Sequence, residues 1–197
     1  MPTLYQLKPA FQGRLRPLVN RLAAAGVTAN QITLAAALLS VALGLLLFFR
    51  PEPKLFLLLP PFLLFRMALN AVDGMLAREH GQASKLGIYL NELGDLVSDA
   101  ALALPFAALA PFGPWGVLFF IFAALLAEVA GILGAPAGIG RNYAGPLGKS
   151  DRAFAIAALG AWVGLGLPLT PTWAGWIFPA LAALALLTLV NRIRAGL

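Results

Sequence analysis

Ala153 to Asn191 reads AFAIAALGAWVGLGLPLTPTWAGWIFPALAALALLTLVN, 39 residues without one charged side chain. A helix that crosses a bilayer needs about 20 apolar residues, so this run predicts two spans. They fall near 153–168 and 172–191, separated at Pro168 to Pro171, where the chain must break its helical hydrogen bonding. Working toward the N-terminus, Ile32 to Phe49 is the apolar part of a second charge-free run, which extends from Leu22 to Phe49. The segment 55–77 is apolar but carries Pro60, Pro61, Arg66 and Asp73; 90–110 carries Asp95 and Asp99; 115–137 carries Glu128. The expected fold class is an all-α integral membrane protein of six transmembrane helices, forming one domain over residues 1–197. Ahead of it, residues 4–24 interleave apolar side chains with Lys8, Arg14, Arg16 and Arg21, the pattern of an amphipathic interfacial helix. The first long apolar run begins too late for a secretion signal.

Composition agrees. The chain is 60% hydrophobic and 11% charged, where a soluble domain is about a quarter charged, which excludes a soluble globular enzyme. No cysteine is present and His80 is the only histidine. Disulfide frameworks, thiolate zinc sites and iron–sulfur centres are therefore excluded, and a metal ion would be held by oxygen, as magnesium, manganese and calcium are. The net charge of +6 suggests membrane orientation rather than nucleic acid. With both termini in the cytoplasm, eleven basic residues lie inside: Lys8, Arg14, Arg16, Arg21, Arg78, Lys85, Arg141, Lys149, Arg152, Arg192 and Arg194. Only Arg50 and Lys54 lie outside, as the positive-inside rule requires.

Charges within a bilayer are costly and seldom idle. Asn70, Asp73 and Ala77 share one face of the second span, and Asn91, Asp95 and Asp99 share one face of the third. Joined by a short loop, the two spans would turn oxygen ligands toward each other near the cytoplasmic surface. Carboxylates with amide oxygens describe a hard-cation site, whose natural guest is a metal-bound phosphate or diphosphate. A buried network of acids paired with Arg66 and Arg78, or an ion or proton pathway, fits the same spacing.

The stretch Asn70-Ala-Val-Asp73-Gly74-Met-Leu-Ala77-Arg78, followed at fixed intervals by Gly87, Asn91 and Asp95, resembles the signature of the CDP-alcohol phosphotransferase family, D-x2-D-G-x2-A-R-x8-G-x3-D-x3-D. Residues 26–33 (GVTANQIT) are similar to the family's PN-x-IT start of the first span, with Ala29 in place of proline. The resemblance implies transfer of a substituted phosphate from a CDP-linked donor, such as CDP-diacylglycerol, to an alcohol with release of CMP. It further implies one or two Mg2+ or Mn2+ ions, a homodimer, and a cytoplasm-facing site in the inner membrane. By resemblance, Asn70, Asp73, Asn91 and Asp95 occupy the metal-ligand positions, and Asp95 that of the general base. Asp73, Gly74, Ala77, Arg78 and Gly87 occupy the CDP-binding positions. Asn70 and Asn91 stand where the family has aspartate, which removes two negative charges; Glu92 and Asp99 are the nearby acids able to compensate. An active enzyme and a catalytically silent CDP-lipid binder both remain open.

Outside the motif, Arg141 to Arg152 (RNYAGPLGKSDR) follows the fourth span. Arg141, Lys149 and Arg152 are candidates to hold an acceptor or a lipid headgroup, with Ser150 and Asp151 capping the next helix. Glu128 and Arg66 are expected as an intramembrane structural pair. His80 is expected in a solvated loop, and no serine has a neighbouring histidine to form a nucleophilic triad.

Overall fold

The computed structural model describes the backbone of residues 4–197 and the side chains of residues 11–197; the side chain of Lys8 lies outside the described residues. Among these residues the regular elements are helical: α1 (Leu4–Ala24), α2 (Ala29–Phe49), α3 (Leu59–Glu79), α4 (Lys85–Ala103), α5 (Pro114–Leu133), α6 (Lys149–Gly164) and α7 (Pro171–Arg194), with 3-10 turns at Pro53–Leu58 and Leu104–Ala108. The all-helical expectation holds. So does the break after the fifth apolar segment, since α6 ends at Gly164 and α7 starts on Pro171 with Thr170 as its cap.

Among the described residues, four helical segments are long and apolar enough to cross a membrane: Ala29–Phe49, Pro53–Glu79, Pro114–Leu133 and Pro171–Arg194. Their outward side chains are what lipid would meet. Leu38, Phe49, Leu64, Phe65, Phe119 and Phe122 are all exposed, in a density no soluble surface carries. The other two expected spans form helices of a different character. The segment expected at 90–110 starts earlier, at Lys85, and leaves α-geometry after Ala103, because Pro105 disfavours an α conformation in the residue before it. It also carries Glu92, Asp95 and Asp99. The segment expected at 153–168 is α6, 16 residues long, about 24 Å at 1.5 Å per residue. Pro60 and Pro61 do not break α3, because they fall in its first turn, where the missing N–H groups have no helical acceptor.

The chain divides into two compact units, Met1–Ser40 with Phe62–Ser98, and Val41–Pro61 with Asp99–Leu197. In the first, the apolar face of α1 is not left to lipid alone. Leu15, Val19 and Leu22 pack with Ala29, Val72, Met75 and Leu76, while Arg14, Arg16 and Arg21 stay exposed. Arg16 makes a two-pronged pair with Glu79, both contacts at 3.0 Å, tying α1 to the end of α3.

The second unit is built on α5 against α7, and α6 against the 3-10 turn at Pro53–Leu58. Its core is aromatic: Phe106, Phe112, Phe120 and Phe178 meet with ring centroids 5.4 to 5.6 Å apart. Close approach depends on Gly131, where a Cβ would fall 2.6 Å from the carbonyl oxygen of Asn142.

Candidate active site

The motif from Asn70 to Asp95 lies wholly within the first unit. The start of α2, the end of α3, the loop after it and the start of α4 enclose a cavity of about 440 Å3 whose walls include Asn30, Asp73, Gly74, Arg78, Gly87 and Asn91. Every residue assigned to CDP binding by resemblance, Asp73, Gly74, Ala77, Arg78 and Gly87, lines it, and so does Glu92. The two glycines leave room for specific groups. A Cβ on Gly74 would stand 3.0 Å from both terminal nitrogens of Arg78, and one on Gly87 only 2.8 Å from Asn30 Oδ1.

Asp73 is buried. Its Oδ2 lies 2.8 Å from Thr33 Oγ1, which is also 3.0 Å from the Ala29 carbonyl oxygen. The hydroxyl's single proton is thus offered to a carboxylate and a helix carbonyl, and the charged acceptor forms the stronger bond. The loop is latched by Gln82, whose Oε1 accepts from Ala29 N at 2.6 Å and whose amide donates to Val27 O at 3.3 Å. Thr33 and Gln82 were not singled out from the sequence; Thr33 had a signal in the GVTANQIT stretch, whereas Gln82, in a polar loop, had none.

The remaining two motif positions meet each other. Asp95 Oδ1 accepts from Asn70 Nδ2 at 3.3 Å and from Arg66 Nη2 at 3.0 Å. Arg66 also reaches the Asp95 carbonyl at 3.4 Å. Arg66 and Glu128 therefore each have other partners, in place of the mutual pair expected from sequence. The acids-with-Arg66 network is realised at Asp95, while Arg78 lies over Gly74.

Glu128 is held in the second unit. Oε1 accepts from Arg141 at 2.8 Å, and Oε2 from Arg152 at 2.9 Å and Arg192 at 3.2 Å. Arg152 also pairs with Asp99 at 3.3 Å, which links Asp99 to this cluster. Two of the three proposed headgroup residues, Arg141 and Arg152, thus converge on Glu128; Lys149 begins α6. The cap of that helix is Gly148 rather than Ser150. The Asp151 carboxylate folds back to accept from Gly148 N at 2.9 Å. Arg192 was missed as a partner of Glu128 because a basic side chain in a last helical turn reads as a dipole partner. His80 is exposed, 3.2 Å from Asn20 Oδ1, as expected of a loop residue.

Among the described residues no three His, Cys, Asp or Glu side chains form a metal-holding group, which follows from amides at two motif positions. The Asp73 carboxylate and the Asn91 amide, which both line the cavity, offer oxygen ligands. They suit a hard cation whose coordination is completed by phosphate oxygens.

The sequence profile described as CDP-alcohol phosphatidyltransferase matches residues 26–190. The chain is 48% identical over 198 residues to the inner membrane protein YnbA of Escherichia coli, covering 99% of this chain and 96% of that protein. It is 29% identical over 116 residues to the archaetidylinositol phosphate synthase of Pyrococcus horikoshii, 59% of each chain. In fold it resembles the Mycobacterium tuberculosis phosphatidylinositol phosphate synthase with CDP-DAG bound, with a TM-score of 0.76, 19% identity and coverage of 91% of this chain and 92% of that one. The same synthase in complex with manganese and citrate aligns at a TM-score of 0.75 and 20% identity, over 91% and 87% of the two chains.

Proposed function

The chain belongs to the CDP-alcohol phosphatidyltransferase family, and we propose that it transfers a phosphatidyl group from CDP-diacylglycerol to an alcohol, releasing CMP. The observation that carries the reading is the cavity in which Asp73, Gly74, Ala77, Arg78 and Gly87 stand together. Arg78 supplies a guanidinium to the donor's diphosphate, and Gly74 keeps the space that this head group occupies. Asp95 removes the proton of the acceptor hydroxyl, whose oxygen then forms a bond to the lipid-side phosphorus as the bond to CMP breaks. A divalent cation, one or two of Mg2+ or Mn2+, held among Asn70, Asp73, Asn91 and Asp95, would neutralise diphosphate charge. Glu92 is the acid best sited to add charge, since it lines the cavity. Arg141, Lys149 and Arg152 are the proposed contacts for the acceptor or a lipid headgroup.

In this reading the protein is a homodimer of the inner membrane, one family domain over residues 1–197 with six membrane-embedded helices. Helix α1 is interfacial, and both termini and the site face the cytoplasm. The test is CMP release by purified protein given CDP-diacylglycerol, Mg2+ or Mn2+, and a panel of alcohols. Turnover is expected with at least one acceptor, and Asp73→Ala is expected to abolish it; undiminished turnover in that variant overturns the mechanism.

A catalytically silent CDP-lipid binder is the second reading, favoured by Asn70 and Asn91. Changing both to Asp separates the two. A large gain from near zero supports the silent reading, and loss of existing turnover supports a working site that uses its asparagines.

A further inference from the structure

Arg66 is a charged side chain only 4% exposed, on a helix long and apolar enough to span a membrane. Such a group persists where it has a partner and a task. One partner is Asp95, through Oδ1 at 3.0 Å and the main-chain oxygen at 3.4 Å. One turn along the same face of α3, the Asn70 amide donates to that same Oδ1 at 3.3 Å. Two positive or proton-bearing groups from α3 are thus aimed at one carboxylate oxygen of α4. An aspartate at position 70 would instead put two carboxylates against each other, an arrangement that demands a shared proton or a cation between them. Here the amide and the guanidinium meet that demand from within the chain. Asp73 and Asn91, by contrast, line the cavity.

We propose that Arg66 is a fixed cation of this site, taking on Asp95 the place of one metal ion, so that the chain binds a single divalent cation on its Asp73–Asn91 side. This rests on the reading above that the cavity takes a divalent cation. In this role Arg66 is a positioning residue. It holds Asp95 by a guanidinium that is part of the chain and so cannot dissociate from it as a metal ion can.

The test is Mn2+ stoichiometry on the full chain in lipid nanodiscs, by dialysis with metal analysis, alongside the electron paramagnetic resonance spectrum of the bound ion. Wild type is expected to hold one Mn2+ per chain with the resolved hyperfine pattern of an isolated ion. Arg66→Lys, which keeps a cation, is expected to do the same. So is Asn70→Asp/Asn91→Asp with Arg66 retained. Adding Arg66→Gln to that double variant is expected to admit a second ion, spin-coupled to the first. Two ions in wild type, or two in the double variant that keeps Arg66, overturn the proposal whether or not the triple variant folds. One ion in a monodisperse triple variant overturns the role of Arg66 and leaves the cation reading standing. No bound Mn2+ in wild type or any variant removes that reading, and this proposal with it.

Discussion

The two charged clusters of this chain solve opposite problems. Around Glu128, one carboxylate is ringed by three guanidiniums at 2.8 to 3.2 Å, and Glu128, Arg152 and Arg192 are all buried. Arg192 adds bonds to the carbonyls of Ala127 and Ala144 at 2.5 and 3.3 Å, so α5, α7 and the loop after α5 are fastened together. Around the motif, carboxylates and amides alternate, and Asp73, Glu92 and Asn91 line a cavity. Surplus positive charge sits in the first cluster beside side chains that consume it. In the second, oxygen donors face open space that a ligand can enter. Buried charge in an apolar helix can therefore serve as a fastening as well as line a cavity.

The division makes activity and stability separable. Asp73→Ala should lower CMP release by more than the ~10- to 100-fold that losing a metal ligand's supporting partner costs, while thermal unfolding in detergent changes little. Glu128→Gln should act the other way. It leaves three guanidiniums without their shared anion, and breaking a buried ion pair costs about 3–5 kcal/mol, read as an earlier unfolding transition. Equal destabilisation by both variants would break the comparison, as would a Glu128→Gln protein of unchanged stability.

A charge-free run of 39 residues and a motif of fixed spacing made the helical class, the helix break before Pro171 and the cavity walls legible in the sequence. Periodicity placed Asn70 with Asp73 on one helix face and Asn91 with Asp95 on another, and the Asn70–Asp95 contact of 3.3 Å joins those faces. What escaped were partners distant in sequence. Arg66 and Glu128 looked like each other's complement because Arg66 was the one base and Glu128 the one charge of their apolar runs. Composition holds no information on which side of a helix a distant guanidinium approaches. Thr33 escaped for a related reason: a threonine near a helix start reads as a local hydrogen-bonder, and its bond to Asp73 spans 40 positions. Helix ends shifted where a proline or charge changed the local balance, as at Pro105 and Lys85.

Smaller changes sharpen the picture within the cavity. Thr33→Val keeps volume but removes the proton offered to Asp73 Oδ2, so Mn2+ affinity should fall by roughly 10- to 100-fold, with unfolding temperature nearly unchanged. A loss of stability without a loss of affinity would assign Thr33 to packing instead.

The finest probe is Gly87→Ala. Its Cβ would lie 2.8 Å from Asn30 Oδ1 and 3.1 Å from Ser84 Oγ, both ends of side chains able to swing away. The backbone is not obstructed, so the fold should survive, but the swing moves Asn30 within the wall of the cavity proposed to take the nucleotide. Overpacking of this kind costs about 1 kcal/mol or more, so CDP should bind roughly fivefold more weakly by titration calorimetry. Asn30→Ala in the same background should return part of that affinity, because it removes the atom the new methyl displaces. If the double variant binds no better than Gly87→Ala, the contact with Asn30 is not what requires glycine at this position.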